Sequence, residues 1–241
     1  MTYFVTGATG FIGRFLLEKL LKREGTIYVL MREASLGKLD KLRELTGDRD
    51  GRIVPIVGDI TAPRLGISDA DIAQLKGQVK HFFHLAAIYD LSAPEEPQIK
   101  ANIDGTRNAV KLAKDIGAGC FHHTSSIAAA GMYPGVFRED MFEEAEKLDD
   151  PYLRTKHDSE AIVRKECKVP FRIYRPAMVV GHSKTGEIDK IDGPYYFFSL
   201  IKKLRKLLPP WMPVIGIEGG RFNLVPVDYV VDAMDFLAHK D

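Results

Sequence analysis

Cysteine is scarce in this 241-residue chain, which has only Cys120 and Cys167. Two are too few for a disulfide framework, and they lack the short spacing of a metal knuckle. Both read as structural residues of a protein kept in a reducing cytoplasm. An excess of one charge is missing too. With 34 basic and 33 acidic side chains, no bulk field recommends nucleic acid or an anionic membrane as a partner, so recognition has to come from a local site. Nowhere does the chain reach the roughly 18 consecutive apolar residues of a membrane span. Its opening, MTYFVTGATG, has no basic segment before the apolar run, so a soluble, unprocessed protein is expected. Repeats and low-complexity tracts are absent. His122 and His123 have no partners at metal-ligand spacing, which leaves no metal site to expect.

What is present is a hydrophobic content of 45%, enough for one substantial core, and an alternation of strand-like and helix-like segments. Residues 2–6 (TYFVT), 26–32 (TIYVLMR), 52–59 (RIVPIVGD), 81–87 (HFFHLAA), 119–126 (GCFHHTSS) and 171–181 (FRIYRPAMVVG) read as strands. Pro55 marks the third of these as an edge strand or an irregular one. Between them FLLEKLLKR carries leucines at helical spacing, LGKLDKLREL places Leu36, Leu39, Leu42 and Leu45 on one expected face, and windows at 98–116 and 152–167 read as helices. Strands separated by helices imply right-handed crossovers and an α/β fold, a Rossmann-like doubly wound parallel sheet. Past residue 182 the alternation stops, and a basic helix, IKKLRKLL, runs into the breaker PPWMP. The expected organisation is a dinucleotide-binding domain over 1–182 and a small C-terminal substrate lobe over 183–241, whose last part, 221–241, returns to pack on the first domain.

The loop Gly7-Ala8-Thr9-Gly10-Phe11-Ile12-Gly13 lies between the first strand and the first helix. Early glycines permit a tight turn and close approach of backbone to phosphate, and the last lets helix and strand pack closely. A pyrophosphate would then meet the N–H groups at a positive helix end. A ligand-free glycine turn is the bland alternative. Dinucleotide type is decided at the end of the second strand, where an acidic residue suits the ribose hydroxyls of NAD and an arginine suits the 2′-phosphate of NADP. Arg32 stands there, which favours NADP, with an ordinary surface arginine as the competing reading. Asp59, ahead of Ile60, is placed to accept from an adenine amino group or, alternatively, to cap a helix.

Of nine tyrosines, only Tyr152 has a lysine four residues on. Asp150 can cap a helix, Pro151 suits its first turn, and Tyr152 and Lys156 then share a face. Moving a phenol proton near pH 7 requires about 4 kcal/mol of help, and a cation ~4 Å away at an effective dielectric of ~20 supplies a figure of that order. By itself the pair is more often a solvated helix face. Thr124-Ser125-Ser126, however, ends a strand on the carboxyl edge where parallel sheets bind ligands. A hydroxyl there can meet a substrate carbonyl, or simply cap the segment Ile127-Ala128-Ala129-Ala130.

Together these segments resemble the extended branch of the short-chain dehydrogenase/reductase superfamily. TGATGFIG is similar to its cofactor loop, His84-Leu85-Ala86-Ala87 to its fourth-strand motif, and Tyr152-Leu-Arg-Thr-Lys156 to its catalytic pair. Tyr174-Arg175-Pro176-Ala177-Met178-Val179 resembles the segment that packs the nicotinamide, and Asn102 resembles the helix asparagine that supports the lysine through water. The resemblance implies Ser126, Tyr152 and Lys156 as catalytic residues. It implies Gly7, Thr9, Gly10, Phe11, Ile12, Gly13, Arg32, Asp59, Ile60, Ala86, Ala87, Lys156, Pro176 and Val179 as cofactor contacts. Tyr89 and Tyr133 are the candidate substrate contacts.

More narrowly, the strand ending in Arg32 and the stretch Asn223-Leu-Val-Pro-Val-Asp228 look like the N-terminal part of bacterial two-domain fatty acyl-CoA reductases. The activity implied is NADPH-dependent reduction of a fatty aldehyde or fatty acyl-CoA, with a covalently linked second reductase domain in a longer chain. Tyr195, Tyr196, Phe197, Phe198 and Trp211 read as an acyl channel or as the core of the small lobe. Lys202, Lys203, Arg205 and Lys206 read as a solvated helix face or a weak membrane-surface contact. A nucleotide-sugar epimerase or dehydratase, and a catalytically silent dinucleotide sensor, are the rival readings. Arg32 argues against the first, and the intact Tyr/Lys pair against the second.

Overall fold

A computed structural model describes residues 1–88, 95–189, 194–207, 209 and 223–240, with the side chains of 95, 194 and 196–200 outside the description. Tyr89 and Trp211 lie outside the described residues, and the side chains of Tyr196, Phe197 and Phe198 do as well.

The chain begins as the alternation predicts: β1 (Tyr3–Thr6), α1 (Phe11–Leu20), β2 (Ile27–Met31), α2 (Leu39–Thr46) and β3 (Ile53–Val57). It continues through α3 (Asp69–Leu75), β4 (His81–His84), α4 (Glu95–Gln98), α5 (Gly105–Asp115), β5 (Cys120–Thr124), α6 (Pro151–Glu166) and β6 (Phe171–Tyr174). All six strands pair in parallel in the order β3-β2-β1-β4-β5-β6. The strand bearing Pro55 is an edge, where a missing N–H costs least. Because the order reverses between β1 and β4, the carboxyl ends of these strands flank the crevice where such sheets bind ligands.

Strand alternation splits the core in two. Tyr3, Val5, Ile27, Val29 and Phe83 pack on Leu16, Leu17 and Leu20 of α1, whereas Phe4, Phe82 and Phe121 face Leu75, Val110, Ile162 and Val163 from α3, α5 and α6. Both faces are covered, as a parallel sheet requires.

The remaining elements are β7 (Met178–Val180), α7 (Pro194–Leu207), β8 (Leu224–Pro226) and α8 (Val227–Ala238). β7 and β8 form a separate parallel pair. Val230, Val231 and Met234 of α8 join the core beside α1, and Arg23 clamps Asp235 at 2.8 and 2.9 Å.

Three sequence expectations change. The single strand expected over 171–181 is two, β6 and β7, in different sheets; Arg175, Pro176 and Ala177 interrupt it, and Pro176 has no N–H for a ladder. The tail after 182 is not free of strand, since β8 pairs with β7. The leucines of 36–45 do not share one buried face: a 3-10 segment, Glu33–Lys38, precedes α2, Leu42 is buried, and Leu45 is 47% exposed. Three-residue spacing falls about 60° short of a full turn at each step, so the last leucine rotates out.

Candidate functional site

The loop after β1 is built for close approach. Gly7 has φ +74°, and a Cβ there would lie 2.7 Å from the Ala86 backbone nitrogen. A Cβ on Gly13 would lie 2.2 Å from the Gly7 carbonyl oxygen. Gly10 precedes α1 with extended backbone and no side-chain cap, so the first-turn N–H groups of Phe11, Ile12 and Gly13 are available to an anion. Thr9 and Gly10 are exposed, and Phe11 and Ile12 half-buried. A dinucleotide's pyrophosphate fits this cradle. Arg32, at the end of β2, is exposed, and its charge helps hold the Asp59 carboxyl below its usual range, behind the main causes, hydrogen bonds from the Thr61 N–H and hydroxyl at 2.8 Å each. Asp59 therefore closes a turn of its own rather than capping a helix, because Ala62 occupies the cap before the next helical segment. Ile60 lies against Gly105 of α5.

At the carboxyl ends of β4 and β5 the site's second half assembles. Asp150 caps α6 as the sequence implies, its carboxylate accepting from the N–H groups of Tyr152 (2.8 Å) and Leu153 (3.1 Å). Lys156, one turn past the half-buried Tyr152, is buried and donates from Nζ to the Thr124 carbonyl at 2.9 Å. The helix is thereby fastened to the strand end that carries the serines. The two serines differ in employment. Ser125 is buried and donates to Glu160 at 2.7 Å. Ser126 is half-buried and accepts from the Ala128 N–H at 3.1 Å. This is the capping role, and it leaves the Ser126 hydroxyl proton to be donated.

Behind the pair runs a buried chain of hydrogen bonds. The Thr6 hydroxyl accepts from the Ala86 N–H (3.3 Å) and meets His84 Nδ1 (2.8 Å), and His84 Nε2 meets Thr106 (3.2 Å). Thr106 donates to the Asn102 carbonyl (2.6 Å). Asn102 lies in a wide π-type turn, Ile99–Asp104, and donates from its amide to Thr155 (3.3 Å), which donates to the Tyr152 carbonyl (3.1 Å). Asn102 also brackets the Ile88 backbone, accepting from its N–H at 2.7 Å and donating to its carbonyl at 3.2 Å. The glycine loop and the tyrosine helix are thus joined through five side chains. Burial drives the His84 pKa down to about 3, with the Lys156 charge adding to the effect, so this histidine is neutral. Burial likewise lowers Lys156 from 10.5 to about 8, while the Glu160 carboxylate acts in the opposite sense.

Of the other expected residues, Ala86 lies against Gly7, Ala87 is exposed, and the Pro176 carbonyl accepts from the Ile127 N–H at 3.1 Å. Val179 sits in β7 opposite Val225. Tyr133 is half-buried, edge-on to Phe137 with centroids 5.5 Å apart. The Tyr195 hydroxyl accepts from the Gly181 N–H at 2.6 Å, and residues 201–207 of α7 are exposed. Among the described residues no cluster of three or more His, Cys, Asp or Glu could hold a metal, and no helix is long and apolar enough to cross a membrane. Sequence reasoning missed Thr6, Thr106, Thr155 and Glu160. Only Glu160 carried a signal, its four-residue spacing from Lys156.

A glycine-cradled helix end at the switch point of a parallel six-stranded sheet defines a dinucleotide-binding domain of the extended short-chain dehydrogenase/reductase fold. Within that class the chain belongs to the NAD-binding family described as Male sterility protein, whose pattern matches residues 5–234. It is 33% identical over 241 residues to a linear gramicidin synthase of Brevibacillus parabrevis, across 93% of this chain and 5% of that protein. It is 29% identical over 276 residues to human (Homo sapiens) fatty acyl-CoA reductase 1, across 95% of this chain and 52% of the relative. The chain thus spans about half of that reductase, and far less of the synthase. Among solved structures, the terminal R domain from the myxalamid PKS-NRPS biosynthetic pathway superposes with a TM-score of 0.82 at 29% identity, covering 99% of this chain and 62% of that one. UDP-glucuronic acid 4-epimerase from Bacillus cereus, solved with UDP-glucuronic acid and NAD, shares the fold at a TM-score of 0.73 and 24% identity, over 100% and 74% of the two chains. The family makes the cofactor class a nicotinamide dinucleotide.

Proposed function

We propose that this chain is an NADPH-dependent reductase acting on a long-chain acyl carbonyl, converting a fatty aldehyde to the alcohol, a fatty acyl-CoA to the aldehyde with release of the CoA thiol, or both. The observation that carries the reading is the fastening of Lys156 to the Thr124 carbonyl, which sets the Tyr152 helix against the strand end bearing Ser126. Kinship with fatty acyl-CoA reductases supports the substrate class, and Arg32 supports the 2′-phosphate.

A reduced nicotinamide held at the glycine cradle would supply the hydride. Gly7, Thr9, Gly10, Phe11, Ile12 and Gly13 would hold its pyrophosphate, Arg32 and Asp59 with Ile60 its adenosine end, and Ala86, Ala87, Pro176 and Val179 its nicotinamide end. Ser126 and Tyr152 donate to the carbonyl oxygen, and Tyr152 delivers its proton as negative charge develops there. Lys156 stabilises the resulting phenolate. Residues 1–182 hold the dinucleotide in this reading, and 183–241 contribute to the acyl site together with Tyr89 and Tyr133. A second reductase domain would be linked in the longer protein. The resemblance to a terminal R domain favours a second substrate reading, an acyl group held on a biosynthetic assembly line.

The test is consumption of NADPH and of NADH with decanal, a long-chain acyl-CoA, an acyl group on a carrier protein and a nucleotide sugar. Turnover of an acyl carbonyl with NADPH is expected. Conversion of the nucleotide sugar alone, without net cofactor consumption, would refute the proposal.

A further inference from the structure

Tyr152, Lys156, Glu160 and Arg164 follow one another at four-residue spacing in α6 and so form one stripe along the helix. Glu160 is the most enclosed of them, its side chain fully buried. A buried carboxylate is costly unless every oxygen is answered, and here each oxygen accepts twice. Oε1 receives Arg175 Nη2 at 2.6 Å and Arg164 Nε at 2.9 Å, while Oε2 receives the Ser125 hydroxyl at 2.7 Å and Arg175 Nε at 3.1 Å. Arg175 reaches on to the carbonyls of Met141 (2.8 Å) and Arg138 (3.2 Å). One carboxylate therefore joins the residue before Ser126, the helix of Tyr152 and the residue before Pro176.

We propose that Glu160 is a positioning residue for the Tyr152 chemistry, tying the Ser126 strand end to the catalytic helix and placing a buried negative charge one turn from Lys156. The inference rests on the reductase reading above. Among the described residues, the groups around Lys156 besides Glu160 carry no negative charge: the Thr124 carbonyl and the histidines His84 and His123 from β4 and β5, with Tyr152 on its own helix. Both histidines are held neutral by burial and by the lysine's own charge. Glu160, one turn away, is the group that opposes the burial of Lys156. Its own carboxyl stays below the usual range despite burial, because Arg175, Ser125 and Arg164 donate to it. Neutralising Glu160 would remove its opposition to burial and so favour loss of the lysine proton.

The test compares wild type, Glu160→Gln, Glu160→Asp and Ser125→Ala by two readouts. The first is the carbon-13 NMR titration of Lys156 in ε-labelled, cofactor-free protein, its signal assigned by its absence in Lys156→Arg. The second is the pH profile of kcat with NADPH and an aldehyde. Glu160→Gln is expected to lower the Lys156 midpoint by about one unit and to move the alkaline limb of kcat with it, an added loss of about fivefold at pH 8. Glu160→Asp restores both midpoints. Ser125→Ala, which loosens the tether and keeps the charge, lowers kcat equally at every pH, with the Lys156 midpoint and the KM for NADPH unchanged. An unmoved Lys156 midpoint in Glu160→Gln, or a wild-type kcat in Ser125→Ala, would overturn the proposal. Failure of the wild-type protein to consume NADPH would instead sink the reductase reading, since the titration uses neither cofactor nor substrate.

Discussion

Arg32 holds its guanidinium in solvent at the end of β2, electrostatically linked to Asp59 across the β2/β3 edge. A charge-assisted pair with a 2′-phosphate contributes about 1.5–3 kcal/mol, so Arg32→Ala should raise the KM for NADPH at least tenfold and leave that for NADH unchanged. Equal effects on the two cofactors would remove the basis for preferring NADP. At this scale the sequence was legible where backbone conformation is itself the requirement. Gly7 and Gly13 could be read because their spacing only makes sense where Cβ atoms are excluded. Ser125 and Ser126 could not be told apart by pattern, since both follow the same strand. The buried carboxylate of Glu160, from a helix 35 residues further on, is what takes Ser125 out of play. The threonines of the buried chain left no trace in sequence, because a hydroxyl reads as a hydrogen-bond link only once its partners are in place.

Helix α6 was legible as an element. Its cap, first-turn proline and Tyr/Lys face are all local in sequence, and the helix spans Pro151–Glu166. Replacing Asp150 by alanine removes two hydrogen bonds to first-turn N–H groups and should cost about 1 kcal/mol in chemical denaturation. The turn carrying Tyr152 should loosen as well, lowering kcat more than it raises KM. Unchanged stability would contradict the capping account. Elements shaped by distant contacts were less legible. The separation of β7 from β6 follows from its pairing with β8 once Pro176 has broken the strand, whereas the rotation of Leu45 follows from the three-residue spacing itself. The exposed side of α8, with Tyr229 at 67% and Phe236 at 62%, gave no signal of which face would meet α1.

For the whole molecule, the parallel sheet was predictable from strand and helix order alone, its strand order was not, and the acid sensitivity expected of it comes from burial. His84, His122 and His123 are buried, and burial is the first cause lowering each, His84 to about 3 and His122 to about 2. Their folded pKa values lie below the ordinary 6.5, so an unfolded chain takes up protons that the folded one refuses. Stability is therefore fully present above about pH 6.5 and falls as pH drops toward 3, by on the order of 1.4 kcal/mol per histidine per pH unit. Urea midpoints should drop clearly between pH 7 and pH 5, and equal midpoints would mean that these rings protonate without unfolding. The cradle, the charged lysine and the serine strand converge on one claim, that Tyr152 gives its proton to an acyl carbonyl. Single-turnover consumption of NADPH with a long-chain aldehyde tests it most directly, comparing wild type with Tyr152→Phe and with NADPH binding measured alongside. A loss of about a hundredfold or more in rate, with NADPH affinity retained, is the predicted result; a near wild-type rate for Tyr152→Phe would contradict the account.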